Sequence, residues 1–196
     1  PGDFNGDGRA DLIGRLADGT LRLYPGNGTG TFGLPITIAT GWQVFDTVVG
    51  PGDFDLDGRT DLIARRPDGT LQFYRGNGTG GFAAGPIQMG TGWGIFDRLV
   101  TPGDFNGDGR PDLIGRRPNG QLQLYPGNGV SSFAAPVSLG TGFAIYDKLI
   151  GTGDINGDGR RDLVARKPDR TMWMYRGSGT GGFLASPLVT QVAGTW

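Results

Sequence analysis

One twelve-residue phrase recurs four times along the chain and constrains its architecture more than any other feature. GDFNGDGRADLI begins at Gly2, and variants of it begin at Gly52, Gly103 and Gly153. The first Asp of the phrase lies at positions 3, 53, 104 and 154, so successive copies are 50, 51 and 50 residues apart. A fourfold repeat of this period predicts one small structural unit per copy, as in propellers and solenoids.

Short apolar segments between these phrases predict β-strands. In and after the second repeat we expect strands at 62–65, 71–74, 87–89 and 96–100, with Asp68-Gly69 forming a tight hairpin turn. Such short strands, separated by frequent turn signals, indicate an all-β protein, and four of them fill one propeller blade. We therefore predict an all-β fold, a β-propeller of four blades with four strands each. The blades form a single repeat domain, with repeats at approximately 1–44, 45–95, 96–145 and 146–196.

The strand that leads into the aspartate phrase occurs only three times. It is predicted at 45–49, 96–100 and 146–150, whereas only Pro1-Gly2 precedes the first phrase. One blade is therefore expected to lack its innermost strand. Two explanations stay open: the chain is a piece of a longer protein, or another chain completes the blade in a swapped or multi-chain ring.

The phrase has the spacing D-x-[ND]-x-D-G-x-x-D, which is typical of a calcium loop. Side chains at positions 1, 3 and 5 of a curled loop converge, glycine at position 6 permits the turn, and a carbonyl at position 7 and a carboxylate at position 9 complete an oxygen-only shell. Mg²⁺ fits less well, because it prefers few carboxylates and retained waters. We expect about four Ca²⁺, one per repeat. The expected ligands, in which each Arg contributes its carbonyl, are Asp3, Asn5, Asp7, Arg9 and Asp11; Asp53, Asp55, Asp57, Arg59 and Asp61; Asp104, Asn106, Asp108, Arg110 and Asp112; and Asp154, Asn156, Asp158, Arg160 and Asp162.

The alternative is that these phrases are only Asp/Asn/Gly turns. Three or four carboxylates crowded on one loop repel each other without a cation, which favours the metal interpretation. The ion is expected to pin the loop between two strands. The other interpretation is an ion with open positions that holds ligand hydroxyls, as in some lectins.

GDFNGDGRADLI resembles the FG-GAP or VCBS repeat of integrin α-subunit propellers and of many secreted bacterial proteins. The resemblance covers all four repeats and implies a β-propeller with Ca²⁺ between the first two strands of each blade. The segment LIARRPDGTLQFYRGNGTGGF at 62–82 is similar to repeats appended to secreted actinobacterial hydrolases and to repeats of propeller lectins. Such propellers usually have more blades than the four repeats present here.

Aromatic residues recur at the junction between repeats, and they allow two interpretations. They either pack between blades or form a repeated platform for sugar rings. The residues concerned are Trp42, Trp93, Phe143 and Trp196.

Arginines and aspartates recur at two further strand positions. Arg15, Arg65, Arg116 and Arg166 are expected to pair with Asp46, Asp97 and Asp147, because the guanidinium binds a carboxylate through two parallel hydrogen bonds. Asp169-Arg170 replaces the Asp-Gly turn in the fourth repeat, and we expect a different turn there because Arg tolerates positive φ poorly.

Composition excludes several classes of function. The chain has no Cys and no His, so disulfides, Cys/His zinc sites and His-based catalytic centres are absent. All 19 acids are Asp: 13 in the loops, three in strands and three in turns, which leaves no carboxylate pair for catalysis. We therefore expect a protein that is not an enzyme, with no nucleic-acid motif and no membrane-inserted segment.

Charge and repetition together indicate a binding module. The formal charge of −1 becomes about +7 with four Ca²⁺ bound, which favours contact with anionic wall polymers. We expect a secreted, Ca²⁺-stabilised propeller with lectin-like recognition of carbohydrate or cell-wall glycan, where repetition supplies avidity. The alternative is a protein-binding adhesion, assembly or targeting module of a larger secreted protein, including self-association.

Overall fold

Antiparallel sheets make up the regular structure of the chain. The computed structural model describes residues 2–184 and 189–192, in which there is no α-helix and the strands form four sheets, each with its strands adjacent in chain order. The first sheet contains β1 (Leu12–Arg15), β2 (Leu21–Tyr24) and β3 (Ile36–Ala39). The second contains β4 (Thr47–Gly52), β5 (Asp61–Arg65), β6 (Leu71–Tyr74) and β7 (Ile87–Gly90). The third contains β8 (Arg98–Gly103), β9 (Asp112–Arg116), β10 (Leu122–Tyr125) and β11 (Val137–Gly140). The fourth contains β12 (Lys148–Gly153), β13 (Asp162–Arg166), β14 (Met172–Tyr175) and β15 (Val189–Val192).

The sequence pattern explains the burial of these strands. In β6, Leu71 and Phe73 are fully buried while Gln72 and Tyr74 are half-buried, as expected for a strand with one face on the core. All five residues of β5 are buried, because this strand lies between two others and is covered on both faces. No helix among the described residues has the length and apolar character needed to cross a membrane.

The strands that lead into the aspartate phrases begin two residues later than predicted. The prediction at 45–49 was wrong at both ends, since β4 runs from Thr47 to Gly52. Phe45 instead closes a short 3₁₀ turn, where its N–H donates to the carbonyl of Trp42 at 3.2 Å. A bulge between Val49 and Gly52 then carries the pairing with β5 up to the aspartate phrase. The predictions at 96–100 and 146–150 are corrected in the same way, to β8 and β12.

The chain forms two compact units, Pro1–Gly94 and Ile95–Trp196, each containing two sheets. The core of the first unit includes Phe4, Leu21, Leu23, Trp42, Phe45 and Leu62. The core of the second includes the equivalent Phe105, Leu122, Leu124, Phe143, Tyr146 and Leu163. The single-domain arrangement of all four repeats stays a prediction.

The expectation of a different turn at Asp169-Arg170 was wrong. Arg170 adopts φ 71°, and its N–H donates to the carbonyl of Lys167 at 2.9 Å. Gly69 makes the same bond to Arg66, also at 2.9 Å. The hydrogen bonds of the hairpin therefore hold an L-residue in the left-handed region despite its steric cost.

Replacement of Arg170 by glycine should stabilise the protein by about 1 kcal/mol, because glycine adopts positive φ without a Cβ clash. Urea unfolding should detect the gain. Gly69→Ala is the matched control with the opposite sign, since a Cβ at Gly69 would lie 2.6 Å from the backbone nitrogen of Gly94. An Arg170→Gly protein no more stable than the parent would contradict the strain at this turn.

Candidate functional site

Each aspartate phrase folds into a loop curled around the carboxylate at its first position. In the first loop, Asp3 accepts hydrogen bonds from the N–H groups of Gly6 at 2.7 Å and Gly8 at 2.8 Å. Both glycines have positive φ, which the tight curl requires. Asp104 and Asp154 accept the equivalent pairs of bonds in the third and fourth loops.

Side chains at positions 3 and 5 of the loop each accept a backbone N–H two residues later, which continues the tight curl of the chain. Asn5 Oδ1 accepts the N–H of Asp7 at 2.9 Å, and Asp7 Oδ1 accepts the N–H of Arg9 at 2.9 Å. The bond between positions 5 and 7 recurs in every loop, at Arg59, Arg110 and Arg160. The four arginines predicted to contribute carbonyls are therefore held by the side chain at position 5. A carboxylate oxygen that accepts one N–H keeps a second lone pair for another partner.

The carboxylate at position 9 ties the loop to the following hairpin. In the second loop, Asp61 accepts the N–H of Phe54 on one oxygen and that of Gly76 on the other, both at 2.9 Å. The same bridge occurs at Asp11, Asp112 and Asp162, and all four residues are buried. We predicted these residues only as closing metal ligands, so their role in joining two backbone segments was missed.

Burial raises the pKa of Asp61 and of Asp112 to about 6. Removal of the carboxylate from water is the larger cause, and the backbone N–H groups offset it only in part. A cation beside these groups would favour their ionised form.

The second loop tests most directly whether the residues fit a metal ion. Oxygens of Asp53, Asp55 and Asp61 all lie within 4.8 Å of one another. The Asp55 side chain is only 4% exposed; its Oδ2 pairs with Arg75 Nε at 2.5 Å, while its Oδ1 is buried without a hydrogen-bond partner. A converging set of carboxylates with a free buried oxygen fits a hard cation such as Ca²⁺. Asn5, Asn106 and Asn156 replace Asp55 in the other loops and lower their negative charge.

A glycine-rich segment of the following repeat packs on the aspartate loop. In the first unit, Gly80 donates to the carbonyl of Phe4 at 3.1 Å, and a Cβ on Gly6 would lie 2.5 Å from the carbonyl oxygen of Gly78. Asn77 shapes this segment, since its Oδ1 accepts the N–H groups of Thr79 and Gly81. GNGTG occurs at 26–30 and again at 76–80, and this recurrence could have revealed the loop-shaping asparagine, which was not predicted.

A polar pocket of about 550 Å³ lies in the second unit between two aspartate loops and the glycine-rich segment. It combines carboxylate, guanidinium and hydroxyl groups in one concave surface. Its polar side chains belong to Asp104, Asp154, Arg160, Arg161, Ser178 and Thr180. Arg161, Ser178 and Thr180 were not predicted as site residues.

The recurring junction aromatics that the structure describes are buried. Trp42 is 4% exposed and stacks on Phe82, with ring centroids 5.4 Å apart. The ring centroids of Trp42 and Tyr74 are 4.5 Å apart. Phe143 packs similarly on Tyr175, with centroids 4.9 Å apart, and Trp93 is 8% exposed. These positions favour packing over the sugar-platform interpretation. Trp196 lies outside the described residues.

The predicted arginine–aspartate pairs are confirmed in three sheets. The Arg65–Asp46 pair has a separation of 2.9 Å, Arg116–Asp97 of 2.7 Å and Arg166–Asp147 of 2.6 Å. The hydrogen bond from Arg166 lowers the pKa of Asp147 below its ordinary value.

Comparison with known proteins agrees with this geometry. A profile of the FG-GAP-like repeat matches residues 3–64, 53–115 and 104–165. The chain therefore belongs to the FG-GAP-like repeat family, which confirms the resemblance in its aspartate phrases. No curated protein sequence matches the chain at a significant level.

Two solved lectin structures share the fold. One is an Agrocybe aegerita lectin described as recognising non-reducing terminal N-acetylglucosamine; it is 21% identical, with a TM-score of 0.61 over 97% of this chain and 50% of that one. The other is the BP39L lectin of Burkholderia pseudomallei, 16% identical, with a TM-score of 0.61 over 98% of this chain and 54% of that one. The chain thus spans about half the length of these lectins.

Proposed function

We propose that the protein is an extracellular, Ca²⁺-stabilised β-propeller module that binds carbohydrate and does not catalyse a reaction. Membership of the FG-GAP-like family, four repeated antiparallel sheets and the fold shared with two lectins support this proposal. The four sheets would be its blades. Secretion is proposed from the aspartate loops, since millimolar Ca²⁺ outside cells suits sites of moderate affinity.

Calcium would occupy the four aspartate loops. The supporting observation is the second loop, where three carboxylates converge and Asp55 Oδ1 is buried without a partner. Bound Ca²⁺ would neutralise the repelling carboxylates and hold the curled loop against its hairpin. Its role in this proposal is structural.

The polar pocket of the second unit is the observation that carries the carbohydrate proposal. Sugars are polyols, and a site for them needs several convergent donors and acceptors with room for a ring. The pocket offers the Arg161 guanidinium, the Ser178 and Thr180 hydroxyls and two loop carboxylates within about 550 Å³. Ser178 Oγ accepts the N–H groups of Thr180 and Gly182 and is hydrogen-bonded to Thr180 Oγ1 at 3.0 Å; with Ser178 as the donor of that bond, the Thr180 hydroxyl can donate to a ligand. Because Trp42, Trp93 and Phe143 are buried, this pocket replaces them as the proposed contact site.

Retention on an insoluble N-acetylglucosamine polymer such as chitin tests the proposal, with free N-acetylglucosamine as competitor. We expect retention in Ca²⁺ that the free sugar abolishes, and a loss of about tenfold or more in Arg161→Gln and Thr180→Ala, because each removes a polar contact. Ser138→Ala is the matched control, since Ser138 is exposed on β11 outside the pocket. A glycan array extends the test to other sugars, and no retained glycan on the array would contradict a lectin function.

The second candidate is a protein-binding adhesion or assembly module. It is favoured by the exposed aliphatic side chains that recur in the three 3₁₀ turns, Val44, Ile95 and Ile145. Stoichiometric capture of a protein that simple sugars do not compete away would support this candidate over the lectin.

A further inference from the structure

The polar pocket of the second unit lies where the third and fourth repeats meet. One wall is the third aspartate loop, with Asp104, and a second wall is the fourth loop, with Asp154. The remaining wall is the glycine-rich segment 177–181, which packs on the third loop, since a Cβ on Gly107 would lie 2.5 Å from the carbonyl oxygen of Gly179. All three walls therefore belong to segments inside the described part of the chain.

The acceptors in this pocket are largely satisfied by their own loops. One oxygen of Asp104 accepts the N–H groups of Gly107 at 2.7 Å and Asp108 at 3.1 Å. Its other oxygen accepts the N–H of Gly109 at 2.8 Å. Asp154 accepts the same three bonds in the fourth loop. Three of the roughly four acceptor positions of each carboxylate are thus filled by the backbone, which also stabilises the negative charge.

The donors in the pocket are free. Among the residues that the structure describes, Arg160 and Arg161 form no ion pair, and their guanidinium groups donate no hydrogen bond. The stem of Arg160 packs on Gly179, where an added Cβ would lie 3.3 Å from Arg160 Cγ. The Thr180 hydroxyl can donate as well when Ser178 donates to it. A ligand that fits this pocket therefore has to bring acceptors, and anionic oxygens are the strongest of these.

Arg161 distinguishes this pocket from the equivalent place in the first unit. Thr60 holds the same position of the second loop, and its hydroxyl donates to the carbonyl of Asp3 at 2.7 Å. Arg161 instead reaches over the glycines that precede two loops. A Cβ on Gly103 would lie 3.3 Å from its Nε, and a Cβ on Gly153 would lie 3.2 Å from its Nη1. Its guanidinium thus lies between the third and fourth loops.

We infer that this pocket prefers sugars that carry a carboxylate or a phosphate over their neutral parents, and that Arg161 binds the anionic group. The inference rests on the proposed carbohydrate function and names the class of sugar. A guanidinium binds two oxygens of a carboxylate or phosphate through parallel hydrogen bonds, which a neutral hydroxyl does not allow. The Thr180 hydroxyl remains for a ring hydroxyl of the same sugar.

Titration calorimetry of the full chain in Ca²⁺ tests the inference with matched pairs of sugars. The first pair is glucose and glucuronic acid, and the second is N-acetylglucosamine and its phosphate ester, so that a carboxylate and a phosphate are distinguished. We expect the acidic member of at least one pair to bind about tenfold more tightly than its neutral parent, because a charge-assisted hydrogen bond replaces a neutral one.

Two variants locate the preference. Arg161→Thr should abolish it, and the variant is expected to fold because Thr60 occupies the same position of the second loop. Lys148→Gln removes the same positive charge from an exposed position of β12 outside the pocket, and it should leave the preference unchanged.

Several outcomes would overturn the inference. Equal affinity within both pairs would do so and would leave the lectin proposal intact. A preference that survives in Arg161→Thr, or that Lys148→Gln also abolishes, would show that Arg161 does not bind the anion. Failure of all four sugars to bind would also overturn it; a glycan retained on the array would then keep the lectin proposal, whereas an array without any retained glycan would reject both.

Discussion

Removal of Ca²⁺ by EDTA is expected to lower the melting temperature of the protein by many degrees. A ligand present at 100 times its Kd stabilises the folded state by about 2.7 kcal/mol per site, and the sequence provides four loops. The physical reason is the crowding of three converging carboxylates in the second loop, with one buried oxygen unsatisfied when no cation is present. Differential scanning calorimetry in Ca²⁺ and in EDTA measures the shift.

Two controls sharpen this prediction. Asp55→Asn should remove part of the Ca²⁺-dependent shift, whereas Asp18→Asn, in an exposed hairpin turn, should leave that shift unchanged. Mg²⁺ at the same concentration should restore less stability than Ca²⁺, because it accepts crowded carboxylates poorly. Identical melting curves in Ca²⁺ and EDTA would contradict the metal assignment.

Truncation of Trp42 is expected to destabilise the first unit by about 3–5 kcal/mol, the usual cost of removing a large buried aromatic side chain. Trp42 is 4% exposed and contacts the rings of Phe45, Tyr74 and Phe82. Urea unfolding followed by circular dichroism measures the loss in Trp42→Ala. Val44→Ala, in the same 3₁₀ turn but 42% exposed, should cost far less.

The same variant separates the two interpretations of the recurring aromatics. If Trp42 packs the junction, stability falls while the chitin retention of the remaining folded protein is unchanged. Normal stability with lost retention would instead identify Trp42 as a sugar platform.

Periodicity was sufficient to predict the strands, because each repeat carries its own turn signals and alternating apolar residues. The alternating apolar residues at 71–74 predicted β6 with its correct bounds, and Asp68-Gly69 predicted the hairpin turn before it. The predicted start of β4 at residue 45 was wrong because Phe45 caps a 3₁₀ turn. A turn of three residues leaves no periodic signal in the sequence. The prediction of a different turn at Arg170 was also wrong. The low tolerance of Arg for positive φ opposes this turn, but the hydrogen bonds of the hairpin enforce it.

The candidate site was predictable only where it is local in sequence. The spacing predicts that positions 1, 3 and 5 of each loop converge, whereas the carboxylates that converge in the second loop are those of positions 1, 3 and 9, Asp53, Asp55 and Asp61. The bond between Asp61 and Gly76 spans 15 residues, and the polar pocket joins Asp104 to Ser178. The first contact depends on how a hairpin folds back on the loop of its own repeat, and the second on how two repeats pack together. Spacing within one phrase specifies neither.

The metal content of the protein tests the central claim most directly. After dialysis against Ca²⁺-buffered solution, elemental analysis should find about four Ca²⁺ per chain, one for each aspartate loop. Asp53→Asn combined with Asp55→Asn should reduce this value by about one. A wild-type protein that retains no Ca²⁺, or whose Ca²⁺ content is unchanged by these substitutions, would contradict the assignment of the loops as calcium sites.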